Sequence, residues 1–127
     1  MAKSDNIFLV GPMGAGKSSV GLQLARLLKR EFYDSDYEVE HRTGVAISWI
    51  FEKEGEEGFR VREEEVIAEL AQEHNIILAT GGGAITREAN RSMLAQHGTV
   101  VYLKVTLDAQ LKRTKRTHTR PLLETED

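Results

Sequence analysis

Short runs of apolar residues alternate along the chain with longer segments in which apolar residues recur at helical spacing. Three runs are predicted to be buried strands, because each is short and apolar throughout; they are Ile7–Val10, Ile76–Ala79 and Val100–Leu103. A shorter apolar element, Phe32–Tyr33, runs into Asp34. None of these runs shows the alternation of polar and apolar residues that is typical of a sheet with one solvent-exposed face.

The segments between the runs are predicted to be helices, and glycines mark several of their ends. One face of the longest segment carries Phe59, Glu63, Val66 and Leu70, and Trp49 is expected in the core. The predicted helices are Ser18–Arg30, Tyr37–Arg42, Ile47–Glu54, Phe59–Glu73, Thr86–His97 and Asp108–Arg116, with breaks at Gly44, Gly55 and Gly58. Strands that alternate with helices predict an α/β domain whose parallel sheet is covered on both faces.

Length, composition and charge narrow the class of protein. A chain of 127 residues fits a single domain spanning residues 1–127. A net charge of −3 argues against a nucleic-acid partner. The chain has no cysteine, which suits the cytoplasm, and neither a signal peptide nor a membrane-spanning run is expected. Residues 109–121 hold five bases and no acid, which indicates a small anionic ligand or, alternatively, a solvated helix face.

A phosphate-binding loop follows the first strand. Gly11–Ser18 fits G-x-x-x-x-G-K-[ST] at every position and lies between a predicted strand and a predicted helix, as this motif requires. Its glycines allow backbone N–H groups to surround phosphate oxygens, Lys17 reaches the β- and γ-phosphates, and the Ser18 hydroxyl is a ligand for Mg²⁺. The chain lacks both N-K-x-D and L-S-G-G-Q, which leaves the kinases of nucleotides and small metabolites.

Two acids and an arginine are candidates for the acceptor side of such a kinase. Asp34 and Asp36 are two residues apart, and in an extended loop they would point the same way. One would hold a Mg²⁺-bound water and the other an acceptor hydroxyl, although a helix-capping acid in a solvated loop is the alternative. Arg60 precedes Glu63 and Glu64 by three and four residues, so the two acids are expected to brace its guanidinium for a carboxylate. The alternative is a surface ion pair.

Aromatic, glycine and arginine residues extend this candidate site. Phe51 and Phe59 could pack on an apolar substrate ring or simply belong to the core. Gly81–Gly83 would allow close backbone approach to a ligand, unless the three glycines form only a flexible turn. Arg120 lies in a segment without helical periodicity and could close over ATP as part of a lid at about residues 112–124.

Five segments in order resemble the shikimate kinase family of bacteria. They are Gly11–Ser18, Asp34–Asp36, Gly55–Glu63, Thr80–Gly83 and Arg120–Leu123, and the resemblance runs from about Asn6 to Leu123. It implies a P-loop fold like that of nucleoside monophosphate kinases, with a three-layer domain and a sheet in the order 2-3-1-4-5. It also implies transfer of the γ-phosphoryl group of ATP to the 3-hydroxyl of shikimate, with Mg²⁺, during aromatic amino acid biosynthesis, by a monomer.

The same resemblance implies a role for each site residue. The implied catalytic residues are Lys17, Asp36 and Arg120. The implied ATP-binding residues are Gly14, Ala15, Gly16, Lys17, Ser18, Ser19 and Arg120. The implied shikimate-binding residues are Asp36, Arg60, Gly81, Gly82 and Gly83, with Gly82 donating its backbone N–H. Ser18 is implied to ligate Mg²⁺ directly, and Asp34 to orient it through water.

Members of the family continue beyond the position of Asp127, and that part supplies an edge strand, a closing helix and a second carboxylate-binding arginine. The chain is therefore expected to be an incomplete kinase domain with low stability and weak activity. Two alternatives remain open at this point: a nucleotide-binding fragment with little turnover, and a related small-metabolite kinase such as a gluconate kinase.

Overall fold

The computed structural model describes residues 5–12 and 14–104. Its elements are β1 (Asn6–Val10), α1 (Lys17–Leu28), β2 (Glu31–Asp34), α2 (Ser35–Thr43), α3 (Ile47–Leu70), β3 (Ile76–Ala79), a 3-10 turn (Ala84–Thr86), α4 (Glu88–His97) and β4 (Gly98–Tyr102). The strands predicted at Ile7 and Ile76 are thereby confirmed. The predicted helix after Asp108, the lid and Arg120 lie outside the described residues.

The four described strands form one parallel sheet in the order β2-β3-β1-β4. This order confirms the first four positions of the predicted arrangement. Ile7 pairs with Ile77 and Leu9 with Ala79, so β1 and β3 end side by side. Because parallel strands share a carboxyl edge, the loops after β1, β2 and β3 meet there, as is usual for ligand sites of this fold class.

Two apolar clusters cover opposite faces of the sheet, because successive side chains of a strand point to opposite sides. Leu9 and Ile77 pack with Ala25 of α1 on one face. Phe8 and Leu78 pack on the other face against residues of α2, α3 and α4, which include Val39, Ile50, Phe59, Val66, Ile67 and Leu94. The predicted sheet with helices on both faces is confirmed.

β4 departs from the prediction of a buried strand. Val100, Val101 and Tyr102 are 41%, 37% and 49% exposed. β4 hydrogen-bonds β1 along one side and is the outermost strand of the described sheet. An apolar run identifies a strand but does not say how much of the strand is covered, since coverage depends on distant parts of the chain.

A kink at Gly55 divides α3 into two helical halves. Gly55 has φ 76° and ψ 177°, a conformation that favours glycine, so the predicted break there is confirmed. Gly58 does not interrupt the second half, contrary to prediction. Arg62 spans the kink, because its Nε and Nη2 atoms donate to the two carboxylate oxygens of Glu54 at 2.9 and 2.7 Å.

The second half of α3 buries the predicted face, which comprises Phe59, Glu63, Val66 and Leu70. In the first half, Ile50 is fully buried whereas Trp49 is 46% exposed, so the expectation that Trp49 belongs to the core was wrong. The two residues are neighbours in sequence and therefore point about 100° apart around the helix axis; only one of them can face the core. Among the residues that the structure describes, no helix is both long and apolar enough to cross a lipid bilayer.

Asn6 joins three segments below the amino end of β1. Its buried side-chain amide donates to the carbonyl oxygens of Ala71, Glu73 and His97 at 3.2, 2.7 and 3.3 Å, and its Oδ1 accepts from the N–H of Ile76 at 3.0 Å. The bonds to the carbonyl of Ala71 and from the N–H of Ile76 are buried, so they satisfy backbone groups that water does not reach.

Replacing Asn6 with leucine should destabilise the fold by about 2–4 kcal/mol, because leucine leaves buried backbone groups without partners at about 1–3 kcal/mol each. Equilibrium denaturation in urea measures this loss. Gln72→Ala is the control, since the Gln72 amide makes an exposed bond to the carbonyl of Ala68 and its loss should cost less than about 0.5 kcal/mol. An Asn6→Leu midpoint equal to that of Gln72→Ala would contradict this role.

Candidate active site

The phosphate loop connects β1 to α1 in the predicted strand–loop–helix context. Gly14 and Gly16 have φ values of 87° and 83°, which only glycine adopts without strain. Gly16 is the N-cap of α1, so the first N–H groups of this helix point towards the loop. A helix N-terminus with inward-facing N–H groups is suited to binding phosphate. Met13 lies outside the described residues.

Lys17 places a positive charge at the centre of this loop. The residue is fully buried, and its Nζ atom donates to the carbonyl oxygens of Gly11 and Pro12 at 2.8 and 3.0 Å. The ammonium group is therefore held within the curve of the loop, where it can exchange carbonyl partners for phosphate oxygens.

The Ser18 hydroxyl and the Asp34 carboxylate meet beside the loop. Ser18 Oγ donates to Asp34 Oδ2 at 2.8 Å, and Asp34 Oδ1 accepts from the N–H groups of Asp36 and Tyr37 at 2.9 and 3.2 Å. Asp34 is thus also the N-cap of α2. It caps a helix, as the alternative interpretation predicted, and it contacts Ser18 at the same time. A hydroxyl and a single carboxylate are oxygen donors of the type that Mg²⁺ takes alongside nucleotide phosphates.

No set of three or more acidic, histidine or cysteine side chains converges as a metal cage within the described part of the chain.

Asp36 does not lie in an extended loop next to Asp34, contrary to the sequence prediction. It occupies the first turn of α2, so the two carboxylates diverge because successive residues of a helix turn about its axis. Asp34 faces Ser18, whereas Asp36 Oδ1 lies against Gly81. The two carboxylates therefore face different neighbours, and the cause is the helix that begins between Asp34 and Asp36.

A cavity of about 320 Å³ opens next to the phosphate loop, and we call it the Arg60 pocket. Ile47, Phe51 and Phe59 form its apolar wall, and Phe51 and Phe59 lie with their ring centroids 5.0 Å apart. The remaining lining residues are Pro12, Asp36, Arg60, Glu63, Gly81, Gly82 and Gly83. Pro12 belongs to the phosphate loop, so the pocket and the loop are adjacent.

Arg60 is braced by two acids, but only one of them is a predicted partner. Its Nη1 atom donates to Glu63 Oε1 at 2.9 Å, and its Nη2 atom donates to Glu56 Oε2 at 3.4 Å. Glu64 instead pairs with Arg87 Nε at 3.2 Å, so the predicted brace from Glu64 was wrong. The side chain of Arg60 is only 16% exposed, which excludes the alternative of an ordinary surface ion pair.

Glu63 lines the pocket in addition to orienting the guanidinium of Arg60, and only the second of these was predicted from the sequence. It is fully buried, and its Oε2 atom has no hydrogen-bond partner among the described residues. Burial raises the pKa of the Glu63 carboxyl, and the hydrogen bond and charge of Arg60 oppose that rise. The available signal was an acid on an otherwise apolar helix face.

The glycine run after β3 leaves room for charged side chains. A Cβ atom on Gly81 would lie 2.6 Å from Asp36 Oδ1 and 2.8 Å from Glu63 Oε2, and one on Gly83 would overlap the guanidinium of Arg60. Gly81 N–H donates to Ser35 Oγ at 3.0 Å, and Gly83 O accepts from the Thr86 hydroxyl at 2.7 Å. These bonds argue against the alternative of a merely flexible turn.

The chain is similar to shikimate kinases over its whole length. A family model described as shikimate kinase matches residues 13–127. Shikimate kinase of Legionella pneumophila (strain Corby) is 61% identical over 127 residues, which are 100% of this chain and 73% of the relative. Shikimate kinase of Aeromonas salmonicida is 56% identical over 127 residues, which are 74% of that relative.

Solved structures agree with this comparison. A shikimate kinase from Acinetobacter baumannii in complex with shikimate superposes with a TM-score of 0.86 at 59% identity, over 94% of this chain and 66% of that one. A gluconokinase from Sinorhizobium meliloti gives a TM-score of 0.58 at 20% identity, over 99% of this chain and 74% of that one, so it shares the fold alone. The chain thus belongs to the shikimate kinase family.

Proposed function

We propose that this chain transfers the γ-phosphoryl group of ATP to the 3-hydroxyl of shikimate, giving ADP and shikimate 3-phosphate, a step of aromatic amino acid biosynthesis. The observation that carries the proposal is the position of the Arg60 pocket. Arg60, Asp36 and an apolar wall line a cavity that Pro12 joins directly to the phosphate loop. Membership of the shikimate kinase family and the similarity to a shikimate complex support the same acceptor.

On the nucleotide side, residues 14–19 would surround the phosphates. Lys17 would exchange its bonds to Gly11 and Pro12 for bonds to the β- and γ-phosphates. Ser18 would ligate Mg²⁺, and Asp34, which already bonds Ser18 at 2.8 Å, would orient it through water. The metal ion would neutralise charge on the transferred group.

The predicted contribution of Arg120 stays a prediction, as do the lid, the single domain over residues 1–127, the cytoplasmic location and the monomeric state.

On the acceptor side, the Arg60 pocket has a charged part and an apolar part, and each would bind a different part of shikimate. Arg60 would bind the shikimate carboxylate, since its guanidinium is held at the pocket by Glu63 at 2.9 Å. The shikimate ring would pack against Phe51 and Phe59, and the Gly82 N–H would donate to the substrate. Asp36 would accept a hydrogen bond from the substrate hydroxyl nearest the phosphate loop.

The transfer itself would then need the 3-hydroxyl positioned against the γ-phosphorus and one group that accepts the hydroxyl proton. As the bond between the 3-oxygen and the γ-phosphorus forms, the bond from that phosphorus to the bridging oxygen of ADP breaks, and the hydroxyl proton moves to Asp36. Lys17 stabilises charge that develops on the phosphoryl oxygens. Substrate positioning and electrostatic stabilisation together account for most of the acceleration expected in such a reaction.

ADP release with shikimate, with gluconate and without an acceptor tests the proposal. We expect release that depends on shikimate and disappears in Lys17→Ala. The same assay on a chain extended to the length of the relatives separates a weak kinase from a nucleotide-binding fragment. ADP release with gluconate alone, or none with shikimate in the extended chain, would contradict the proposal.

Replacing Gly83 with alanine should weaken shikimate binding by about tenfold or more and leave the KM for ATP nearly unchanged. An alanine Cβ would overlap the guanidinium of Arg60 and displace it, and removing a well-oriented charged hydrogen bond costs about 1.5–3 kcal/mol. Steady-state kinetics with each substrate varied in turn measures the two effects.

Gly44→Ala is the control for a general loss of stability, because Gly83 itself has a φ of −95° and alanine there brings no backbone strain of its own. Gly44 has φ 74° and open space around its Cβ position. Alanine there should lower stability through backbone strain and should not change the KM for shikimate more than the KM for ATP. Equal KM changes for shikimate and ATP in Gly83→Ala would contradict the proposed contact between Gly83 and Arg60.

A further inference from the structure

The two carboxyl oxygens of Glu63 have different surroundings. Oε1 accepts a hydrogen bond from Arg60 Nη1 at 2.9 Å. Oε2 is buried at the floor of the Arg60 pocket and has no hydrogen-bond partner among the described residues. A buried carboxylate oxygen without a donor is costly, since desolvation disfavours the charged form.

A second carboxyl group increases this cost. Asp36 Oδ1 and Glu63 Oε2 flank the same point beside Gly81, at 2.6 and 2.8 Å from where its Cβ would stand. Two carboxylates that share a small site disfavour each other's ionisation. A proton on Glu63 Oε2 would remove this repulsion and leave the bond from Arg60 to Oε1 intact.

The charges that face Glu63 come from several elements. Arg60 on α3 and Arg87, at the start of α4, favour its ionised form. A further acid, Asp36 on α2, lies beside the same point at Gly81 as Glu63 Oε2. Arg87 is already bound by Glu57 and Glu64 at 3.2 Å, which reduces its effect on Glu63. Burial is the largest influence on the pKa of Glu63 and raises it. Whether Glu63 is ionised or protonated therefore depends mainly on whether the charge of Arg60 is available to it.

An anionic acceptor would change that balance. A substrate carboxylate bound to Arg60 competes with Glu63 for the same guanidinium and adds negative charge to the pocket. Both effects favour the neutral form of Glu63. In that form, Glu63 no longer competes with the substrate for the charge of Arg60, although Glu56 still pairs with Arg60 at 3.4 Å.

We propose that Glu63 carries a proton on Oε2 when the acceptor is bound, so that shikimate binding takes up a proton at a residue that does not itself perform the transfer. Glu63 is then a positioning residue, because it acts through the charge and orientation of Arg60. The inference rests on the proposed function, since it assumes a carboxylate acceptor in the Arg60 pocket.

Linkage determines the sign of the pH dependence. Binding raises the pKa of Glu63 above its value in the empty pocket, so the affinity for shikimate is highest below the pKa of the empty state. It falls as pH rises from that pKa to the pKa of the complex, by up to about tenfold per pH unit. Buried glutamates titrate as high as about pH 8–9, so the range to examine runs from about pH 5 to about pH 9.

Calorimetry of shikimate binding to the whole chain, in buffers with different ionisation enthalpies, counts the protons. We expect uptake approaching one proton per shikimate within part of this range. In Glu63→Gln, which keeps an acceptor for Arg60 and a permanent donor in place of Oε2, both the uptake and the pH dependence of Kd should disappear. Glu65→Gln is the matched control on the same helix, because Glu65 is exposed and does not line the Arg60 pocket; it should keep the uptake of the wild-type chain.

Three results would overturn the inference. The first is shikimate binding by the wild-type chain with no proton uptake at any pH in the range, which needs no variant and so does not depend on how Glu63→Gln folds. The second is full uptake in folded Glu63→Gln, which would assign the proton to another group such as Asp36. The third is no shikimate binding at any pH, which alone among the three would also remove the proposed function.

Discussion

Replacing Arg60 with alanine should weaken shikimate binding by about a hundredfold or more, while the affinity for ATP changes little. Among the described residues that line the Arg60 pocket, Arg60 carries the positive charge, and truncating one member of a buried charge pair at a binding site costs about 2–5 kcal/mol. The loss should be nearly as large in Arg60→Lys, because an ammonium group cannot present the planar fork that pairs with a carboxylate. Calorimetric titration with each ligand separately measures the two affinities.

Arg62→Ala is the matched control for this prediction. Arg62 lies two residues further along α3, pairs with Glu54 at 2.7 Å and does not line the pocket. Its removal should leave the affinity for shikimate within about threefold, since partly exposed ion pairs contribute little. Equal losses for shikimate and ATP in Arg60→Ala would show that the variant has disturbed the domain as a whole, and would count against a specific role.

Replacing Asp36 with asparagine should lower kcat for shikimate phosphorylation by about 10²–10⁴-fold, which is the usual contribution of a positioned proton acceptor. Asparagine has the same shape, so it fits beside Gly81, where Asp36 Oδ1 leaves no room for a larger group. An amide still bonds a hydroxyl but cannot accept its proton, so KM for shikimate should change far less than kcat. Steady-state kinetics with saturating ATP gives both parameters.

Glu38→Gln provides the control on the same helix. Glu38 forms a partly exposed pair with Arg42 at 3.6 Å and does not line the Arg60 pocket. The variant should keep nearly the full kcat. If Asp36→Asn instead raised KM strongly and left kcat unchanged, Asp36 would be a binding residue only, and the proton would have to leave by another route.

Local features were predictable because short stretches of chain contain their causes. The motif Gly11–Ser18 includes both the glycines that allow its backbone geometry and the lysine that fills it. The buried face of α3 follows from apolar spacing, and the kink follows from Gly55. The order of the motifs then indicated the family, and the resemblance to that family implied the sheet order.

Predictions failed where side-chain direction depends on packing against other segments. Glu64 satisfies the spacing rule for a bond to Arg60 but pairs with Arg87, which comes from a different part of the chain. Trp49 and Ile50 are equally apolar neighbours, and the core accepts only Ile50. Asp36 follows Asp34 by two residues, yet a helix begins between them and separates their directions.

By itself, the amino-acid sequence determined the class of fold, the phosphate loop, the family and most of the residues that a kinase site would use. Only the tertiary structure decided how those residues act on one another. It brought Gly81 against Asp36 and Glu63, and Gly83 against Arg60, although each pair is at least 18 residues apart in the sequence. These contacts depend on how α2 and α3 pack beside the end of β3, and burial of that kind raises the pKa of a carboxyl group in a way that no local pattern records.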